Sequence, residues 1–216
     1  MDEMEHARRR VDMARAVEAA LGPFSLAHLR ALEVVRRDRF VREEDVDRAE
    51  IDAPLPLDDV GHATISAPHA YCLSYRLLDL REGDRMLELG SGTGYGAALA
   101  AEIVGVRGAV ITVEIDDALA ARARELLADL PVVRTVHGDA ADAIPMFAEC
   151  NKVACAFAVK SLPQTWVDAL KPGAVLVAPI GRETQHLVRV ERDARGAISI
   201  SRHGAVRYVA NRSAEG

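Results

Sequence analysis

The run Met86-Leu87-Glu88-Leu89-Gly90-Ser91-Gly92-Thr93-Gly94 constrains the fold more than any other stretch of this chain. An apolar strand ends in an acid and passes straight into alternating glycines. Glycine is required where backbone turns with positive φ, or where a Cβ would block the close approach of a ligand. Three glycines within five residues therefore predict a strand-to-helix loop built around a bound group, and point to an adenosine-containing one. A second apolar run, Ala109-Val110-Ile111-Thr112-Val113, closes on Glu114, twenty positions after Gly94. An acid at the end of a neighbouring strand is suited to accept hydrogen bonds from ribose hydroxyls.

Around these two runs the pattern is repetitive. Apolar, β-rich segments at 85–88, 109–114, 132–137, 153–157 and 175–179 alternate with helical patterns at 95–104, 118–128, 140–147 and 163–170. Such alternation predicts an α/β fold, a doubly wound and mostly parallel sheet with helices on both faces. Lys171-Pro172-Gly173 reads as the turn ending the last helix. After it, segments at 187–190, 197–200 and 205–209 alternate like exposed antiparallel strands, with Asp193-Ala194-Arg195-Gly196 as a hairpin turn. Upstream, residues 2–20 carry apolar positions at helical spacing until Gly22-Pro23 stops them. Ser25 reads as the N-cap of a second helix bearing Leu26, Leu29, Leu32 and Val35 on one face. Pro54-Leu55-Pro56-Leu57 predicts an extended loop with no regular element. Ser66 is read as capping a helix from Pro68 to about Leu78, with Tyr71 and Tyr75 on one face.

The chain is expected to form one domain over residues 1–216. It comprises an N-terminal helical and loop region (1–60), a cofactor-binding core (61–181) and C-terminal strands (182–216). With 27 basic against 33 acidic residues and a net charge of −6, broad attraction to nucleic acid or anionic lipid is not expected. No apolar run approaches the ~20 residues that span a bilayer, so no membrane partner is expected either. Cys72, Cys150 and Cys155 have no paired spacing, and the acidic start lacks a signal-like apolar stretch, which suits a reducing cytoplasm. Cys150 and Cys155 read as small buried hydrophobes and Trp166 as a core residue, and the seven histidines and three cysteines show no metal-ligand spacing.

A dinucleotide loop has the spacing Gly-x-Gly-x-x-Gly, whereas here Gly90, Gly92 and Gly94 follow Glu88 as Gly-x-Gly-x-Gly. With Glu114, the pattern resembles motif I of the class I S-adenosylmethionine-dependent methyltransferases. His137-Gly138-Asp139 adds a third carboxylate at a strand end; by itself it reads as a helix N-cap, and the resemblance implies that it also accepts from the adenine amino group, two roles that can coexist. Thr64-Ile65-Ser66-Ala67-Pro68-His69, about twenty residues before the glycine loop, sharpens the resemblance to the protein-L-isoaspartate O-methyltransferase family. Other segments also resemble it: Val35 to Val41 the opening motif, Pro54 to Leu57 the following loop, and Leu170 to Gly173 with Pro179 to Gly181 the late strand and turn.

This resemblance implies a Rossmann-like fold and methyl transfer from S-adenosyl-L-methionine to the free carboxylate of L-isoaspartyl residues, which starts their repair. It implies that Glu88, Gly90, Ser91, Gly92, Gly94, Glu114, Ile115, Asp139, Ala140 and Tyr71 hold the cofactor. Ser66 and Thr64 would be the catalytic residues, while Ile65, Ala67, His69 and Lys160 would face the isoaspartyl protein or peptide. A carboxylate with a pKa near ~3.5 is already ionised at neutral pH, so this chemistry needs positioning and no strong base. On that ground His69 reads as a hydrogen-bonding residue and not a base.

The chain departs from the family pattern at four places. Ala140 follows Asp139 where the family has glycine, and Cys150-Asn151 replaces an aromatic and an aspartate. Phe157-Ala158-Val159-Lys160 replaces a run of alanines and a proline, and is read as bringing a ring and a cation to the acceptor pocket. The segment Tyr208 to Arg212 lacks the family's proline and leucine and ends soon after. Two alternatives therefore stand beside isoaspartyl repair: methylation of a dedicated peptide or small acid drawn by Lys160, and a non-catalytic cofactor-binding relative. The sequence leaves the oligomeric state open.

Overall fold

A computed structural model of the chain describes residues 3–211. Helices α1 (Glu3–Leu21) and α2 (Leu26–Val34) lead the chain, and α2 is capped by Ser25, whose side chain accepts the His28 N–H at 3.2 Å. Strands β1 (Leu55–Pro56) and β2 (Thr64–Ile65) form an antiparallel ribbon, and α3 (Pro68–Leu78) follows. The alternating core then runs β3 (Arg85–Leu89), α4 (Tyr95–Val104), β4 (Ala109–Glu114), α5 (Asp117–Leu126), β5 (Val133–His137), α6 (Ile144–Phe147), β6 (Lys152–Cys155), α7 (Gln164–Ala169) and β7 (Val175–Ile180). Strands β8 (Gln185–Arg192) and β9 (Ile198–Val206) complete it.

The seven-stranded sheet has the order β5-β4-β3-β6-β7-β8-β9, parallel from β5 to β7 and antiparallel beyond. Met86, Leu87 and Leu89 of β3 are fully buried, as expected of a strand covered on both faces. Met86, Val110, Val175 and Val177 join the core beneath α3 and α4, whereas Leu87, Ile111, Val153 and Leu176 join one that includes Phe147 and Trp166. Cys72, Cys150 and Cys155 are free and buried. The order in which successive strands are added reverses between β3 and β6, so the carboxyl ends of these parallel strands open a crevice at the switch point, where open α/β sheets bind ligands.

Four local expectations are corrected. Pro54 to Leu57 is not wholly irregular, since Leu55 and Pro56 pair with Ile65 and Thr64, and the Leu57 N–H reaches the Ala63 carbonyl at 2.9 Å. Ser66 does not cap α3: the N-cap is Ala67, and Asp52 Oδ1 accepts the His69 N–H at 3.0 Å. The segments 197–200 and 205–209 do not form two strands, because β9 runs unbroken from Ile198 through Gly204 to Val206, and Ala197 and residues 207–209 lie outside it. Nor is the whole C-terminal region exposed, as Leu187, Val188 and Val190 of β8 are buried.

The N-terminal third is bound to the core by buried charge. Arg37 is completely buried; its Nη1 donates to the carbonyls of Ala49 (2.6 Å) and Ile51 (3.1 Å), and its Nη2 to those of Ala53 (2.8 Å) and Ser66 (3.0 Å). Nearby, His6 Nδ1 meets Glu50 Oε1 at 2.8 Å and Arg36 meets Asp38 at 2.7 Å. Arg9 and Arg10 approach the same acids at 4.0 and 3.9 Å, so the protein itself supplies the positive charge these carboxylates need.

Glu88, on β3, is buried below the first turn of α4. Thr112 Oγ1 donates to its Oε2 at 2.6 Å, and a Cβ on Gly96 would collide with its Oε1. Burial pushes the Glu88 carboxyl up to about 7; the Thr112 hydrogen bond opposes the rise and the Glu114 carboxyl adds to it. The unfolded chain gives up this proton near 4.5 and the folded chain keeps it to about 7. Stability therefore falls as pH rises through that window, by about 3 kcal/mol in full. Glu88→Gln keeps the shape without the ionisation, so it is expected to leave the melting temperature nearly unchanged at pH 5 and raise it at pH 8. Calorimetry at the two pH values checks this, and an equal shift at both would rule the buried ionisation out.

Candidate active site

The glycine loop leaves β3 at the switch point. Gly90 adopts φ +88° and Gly92 φ +54°, conformations that disfavour side chains. A Cβ on Gly90 would lie 2.7 Å from Phe157 Cδ1, and one on Gly92 2.9 Å from Leu57 Cδ1, so glycine at these positions leaves room for those two side chains against the loop. Glu114 ends β4 beside the loop, where its Oε2 accepts the Gly92 N–H at 2.7 Å and its Oε1 the Asp116 N–H at 3.0 Å. Burial raises the Glu114 carboxyl above its ordinary range, and these backbone donors oppose the rise. Two oxygens held by one donor each retain lone pairs for hydroxyl groups of a ligand.

A cleft of about 570 Å³, partly open to solvent, lies over this edge of the sheet. Gly90, Gly92, Glu114, Ile115, Asp139 and Ala140 all line it, together with Gly138, Ala156 and Phe157. Ile115 keeps 38% of its surface exposed, offering an apolar face beside the carboxylates of Glu114 and Asp139. Asp139 also caps the turn that follows, its Oδ1 accepting the Ala141 N–H at 2.9 Å, so capping and cleft lining coexist in one side chain. A glycine cradle, an acid at a strand end and an apolar flank together fit an adenosyl group.

Ser91 and Tyr71 line a smaller adjoining cavity with Thr64, Ile65 and Ser66. A larger groove beyond it is lined by Thr64, Ser66, Ala67 and His69 on one side and by Arg207, Tyr208 and Val209 on the other. Thr64 and Ala156 line all three spaces, so residues 64–69, the hallmark segment of the resemblance, stand where cleft and groove meet. The Ser66 carbonyl accepts from Arg37 and its N–H donates to Tyr71 Oη at 3.3 Å. The Ser66 hydroxyl makes no hydrogen bond to another described residue. His69 Nδ1 lies 3.0 Å from both oxygens of Asp52. Burial works to raise the Asp52 carboxyl, but the His69 side-chain and backbone hydrogen bonds outweigh it and hold the group below its usual range.

Four placements differ from expectation. Glu88 and Gly94 line none of these spaces: Glu88 lies beneath α4, and Gly94 caps that helix against Leu127. Lys160 lines a separate cavity with Ala140, Ser161, Trp166 and Asn211, because the chain after β6 turns away from Ser66. Phe157 faces the glycine-loop cleft and not the acceptor groove. The C-terminal segment, despite its altered residues, closes over the site: Ala158 N–H donates to the Val209 carbonyl at 2.8 Å and Asn211 N–H to the Ala158 carbonyl at 2.9 Å. Sequence reasoning missed Arg37 and Asp52 as supports of the hallmark segment. Their partners lie 29 and 17 positions away and half of those contacts are to backbone, so no local pattern announces them.

The family model for protein-L-isoaspartate(D-aspartate) O-methyltransferase matches residues 25–216. The chain is 40% identical over 182 residues to protein-L-isoaspartate O-methyltransferase 2 of Archaeoglobus fulgidus, covering 83% of this chain and 82% of the relative. It is 37% identical over 184 residues to the protein-L-isoaspartate O-methyltransferase of Methanosarcina mazei, covering 84% and 74%. Among solved structures, a protein-L-isoaspartate O-methyltransferase superposes with a TM-score of 0.83 at 23% identity, covering 94% of this chain and 66% of that one. A Plasmodium falciparum protein described as a beta-aspartate methyltransferase, in complex with S-adenosyl-L-homocysteine, superposes with a TM-score of 0.79 at 22% identity, covering 96% and 98%. These two superpositions carry the fold. With a family match spanning almost the whole chain and curated relatives near 40% identity, this protein belongs to the protein-L-isoaspartate O-methyltransferase family.

Proposed function

We infer that this enzyme transfers the methyl group of S-adenosyl-L-methionine to the free carboxylate of L-isoaspartyl residues in damaged proteins. The observation that carries this reading is the junction at Thr64 and Ala156, where a cleft suited to an adenosyl group meets a groove open to a peptide. When bound, the cofactor supplies a methyl group made electrophilic by its positively charged sulfur. In this reading Gly90 and Gly92 give the donor a flat bed, Glu114 takes its ribose hydroxyls, Asp139 takes its adenine amino group, and Ile115 and Ala140 pack the base. Ser91 and Tyr71 act at the junction itself.

The acceptor carboxylate arrives ionised, so the protein's task is to hold one oxygen in line with the methyl-to-sulfur bond, ~3 Å away. Ser66, whose hydroxyl is uncommitted and whose backbone is anchored at both N–H and carbonyl, can donate to that carboxylate without surrendering a proton to it. Thr64 and Ile65 frame the junction, and Ala67 and His69 line the groove beyond. His69, engaged by Asp52, orients and does not abstract. The neighbouring backbone amide nitrogen then attacks the ester carbonyl and expels methanol, which takes up the amide proton, and hydrolysis of the resulting succinimide returns part of the material as normal aspartate. The reading in which Lys160 draws a dedicated acid has no geometric support, as Lys160 lines a different cavity from Ser66.

N-terminal helices, core and C-terminal strands act as one catalytic unit in this proposal, since Arg37, Ser66 and Val209 from the three regions all meet at the site. Among the described residues, no helix is long and apolar enough to cross a membrane. The three free, buried cysteines suit a reducing cytoplasm.

Labelled methyl transfer to matched isoaspartyl and aspartyl peptides is expected to mark the isoaspartyl peptide alone; equal labelling of both, or of neither, would sink the assignment. Ser66→Ala is expected to lower kcat by roughly tenfold to a hundredfold and to leave S-adenosylhomocysteine affinity unchanged in a calorimetric titration. Glu114→Ala is expected to weaken that affinity by roughly tenfold or more, the value of a charged hydrogen bond. An unchanged affinity would remove Glu114 from the ribose site.

A further inference from the structure

The backbone that follows β6 is pinned on both sides of Phe157. Ala156 N–H donates to the Leu89 carbonyl at 2.9 Å, Ala158 N–H to the Val209 carbonyl at 2.8 Å, and Cys155 Sγ to the Phe157 carbonyl at 3.2 Å. These bonds direct the ring across Gly90, where an added Cβ would stand 2.7 Å from Cδ1 and 3.3 Å from Cε1. Its other flank meets Trp166 edge to face, with centroids 6.5 Å apart and planes at 71°, and Trp166 is buried. The ring is thus held between the first glycine of the loop and a fixed indole, half-buried, with a remaining part in the cleft.

Its position along the cleft is informative. Phe157 lines the space that contains Glu114, Ile115, Asp139 and Ala140, and neither the junction cavity nor the acceptor groove, which Ala156 reaches instead. It also packs with the core that contains Ala140 and Trp166. We propose that Phe157 is an aromatic wall of the donor site that contacts the nucleoside half of the bound donor and sets affinity for adenine nucleosides. This rests on the reading of that cleft as the donor site. An aromatic face gives a purine or ribose dispersion and stacking contact that alanine lacks, and a ring already locked by Gly90 and Trp166 loses little freedom on binding.

Calorimetric titration of the full-length protein with S-adenosylhomocysteine and with 5′-methylthioadenosine, which keeps the nucleoside but lacks the amino-acid end, tests the proposal. Phe157→Ala is expected to weaken both ligands by the same factor, roughly tenfold. Phe157→Leu, which keeps most of the volume without the ring, is expected to weaken both by a smaller common factor, and it decides the matter if the alanine variant does not fold. Unchanged affinity for both ligands would overturn the proposal, as would a loss confined to S-adenosylhomocysteine, which would put the ring at the amino-acid end. Wild-type protein that binds neither ligand would overturn the donor reading and the wall with it. Wild-type binding that is lost in Glu114→Ala and kept in Phe157→Ala would overturn the wall alone.

Discussion

The Arg37 guanidinium is buried completely and pairs with four carbonyl oxygens in place of a carboxylate. Burying a charge costs several kcal/mol unless its donors are satisfied, and burial draws the Arg37 pKa downward. The planar fork suits this task because it presents several donors in fixed directions, which an ammonium on a flexible stem does not. Three of its bonds gather the loop at Ala49, Ile51 and Ala53, and the fourth reaches Ser66. The guanidinium therefore sets the distance between the N-terminal third and the hallmark segment. Asp52, carried on that loop, then caps α3 and engages His69. Thr93 adds a second tie from the glycine loop, donating to the Phe40 carbonyl at 2.6 Å.

The two acids of the central strands divide their labour by depth. Glu88 lies beneath α4 and holds its proton to about 7, so below neutral pH it serves as a buried hydrogen-bonding carboxyl. Glu114, one strand over, keeps backbone donors on both oxygens and lines the cleft. The glycine loop thus lies between a structural carboxyl beneath α4 and a carboxyl that lines the cleft. Their residue types are the same, and only the position relative to α4 separates them.

Much of this architecture was legible in the chain. The periodicity placed α4 at its observed bounds, set β3 to β7 within a few residues, and located Gly90, Gly92, Glu114, Ile115, Asp139 and Ala140, which share one cleft. Parallel strands covered on both faces read as continuous apolar runs, and glycines at a close approach cannot be replaced, so both leave strong local marks. The errors fall where a residue's role depends on a distant partner. Ser66 stood before a proline helix and read as its cap, but Asp52 caps that helix and leaves the serine hydroxyl uncommitted. Lys160 and Phe157 were expected beside the acceptor, but the turn after β6 sends both elsewhere.

What the sequence by itself determined is the α/β class, the residues of the glycine-loop cleft and the family, because strand, loop and following helix lie within one contiguous stretch whose residue types are dictated locally. The groove beyond that cleft was decided by tertiary structure. It is assembled from Arg37, Asp52, residues 64–69, Ala156 and the segment at Tyr208–Val209, which meet only once the sheet has formed. Several of the contacts that join these pieces end on backbone carbonyls and N–H groups, which every residue possesses, and such partners leave no mark in a sequence of side chains.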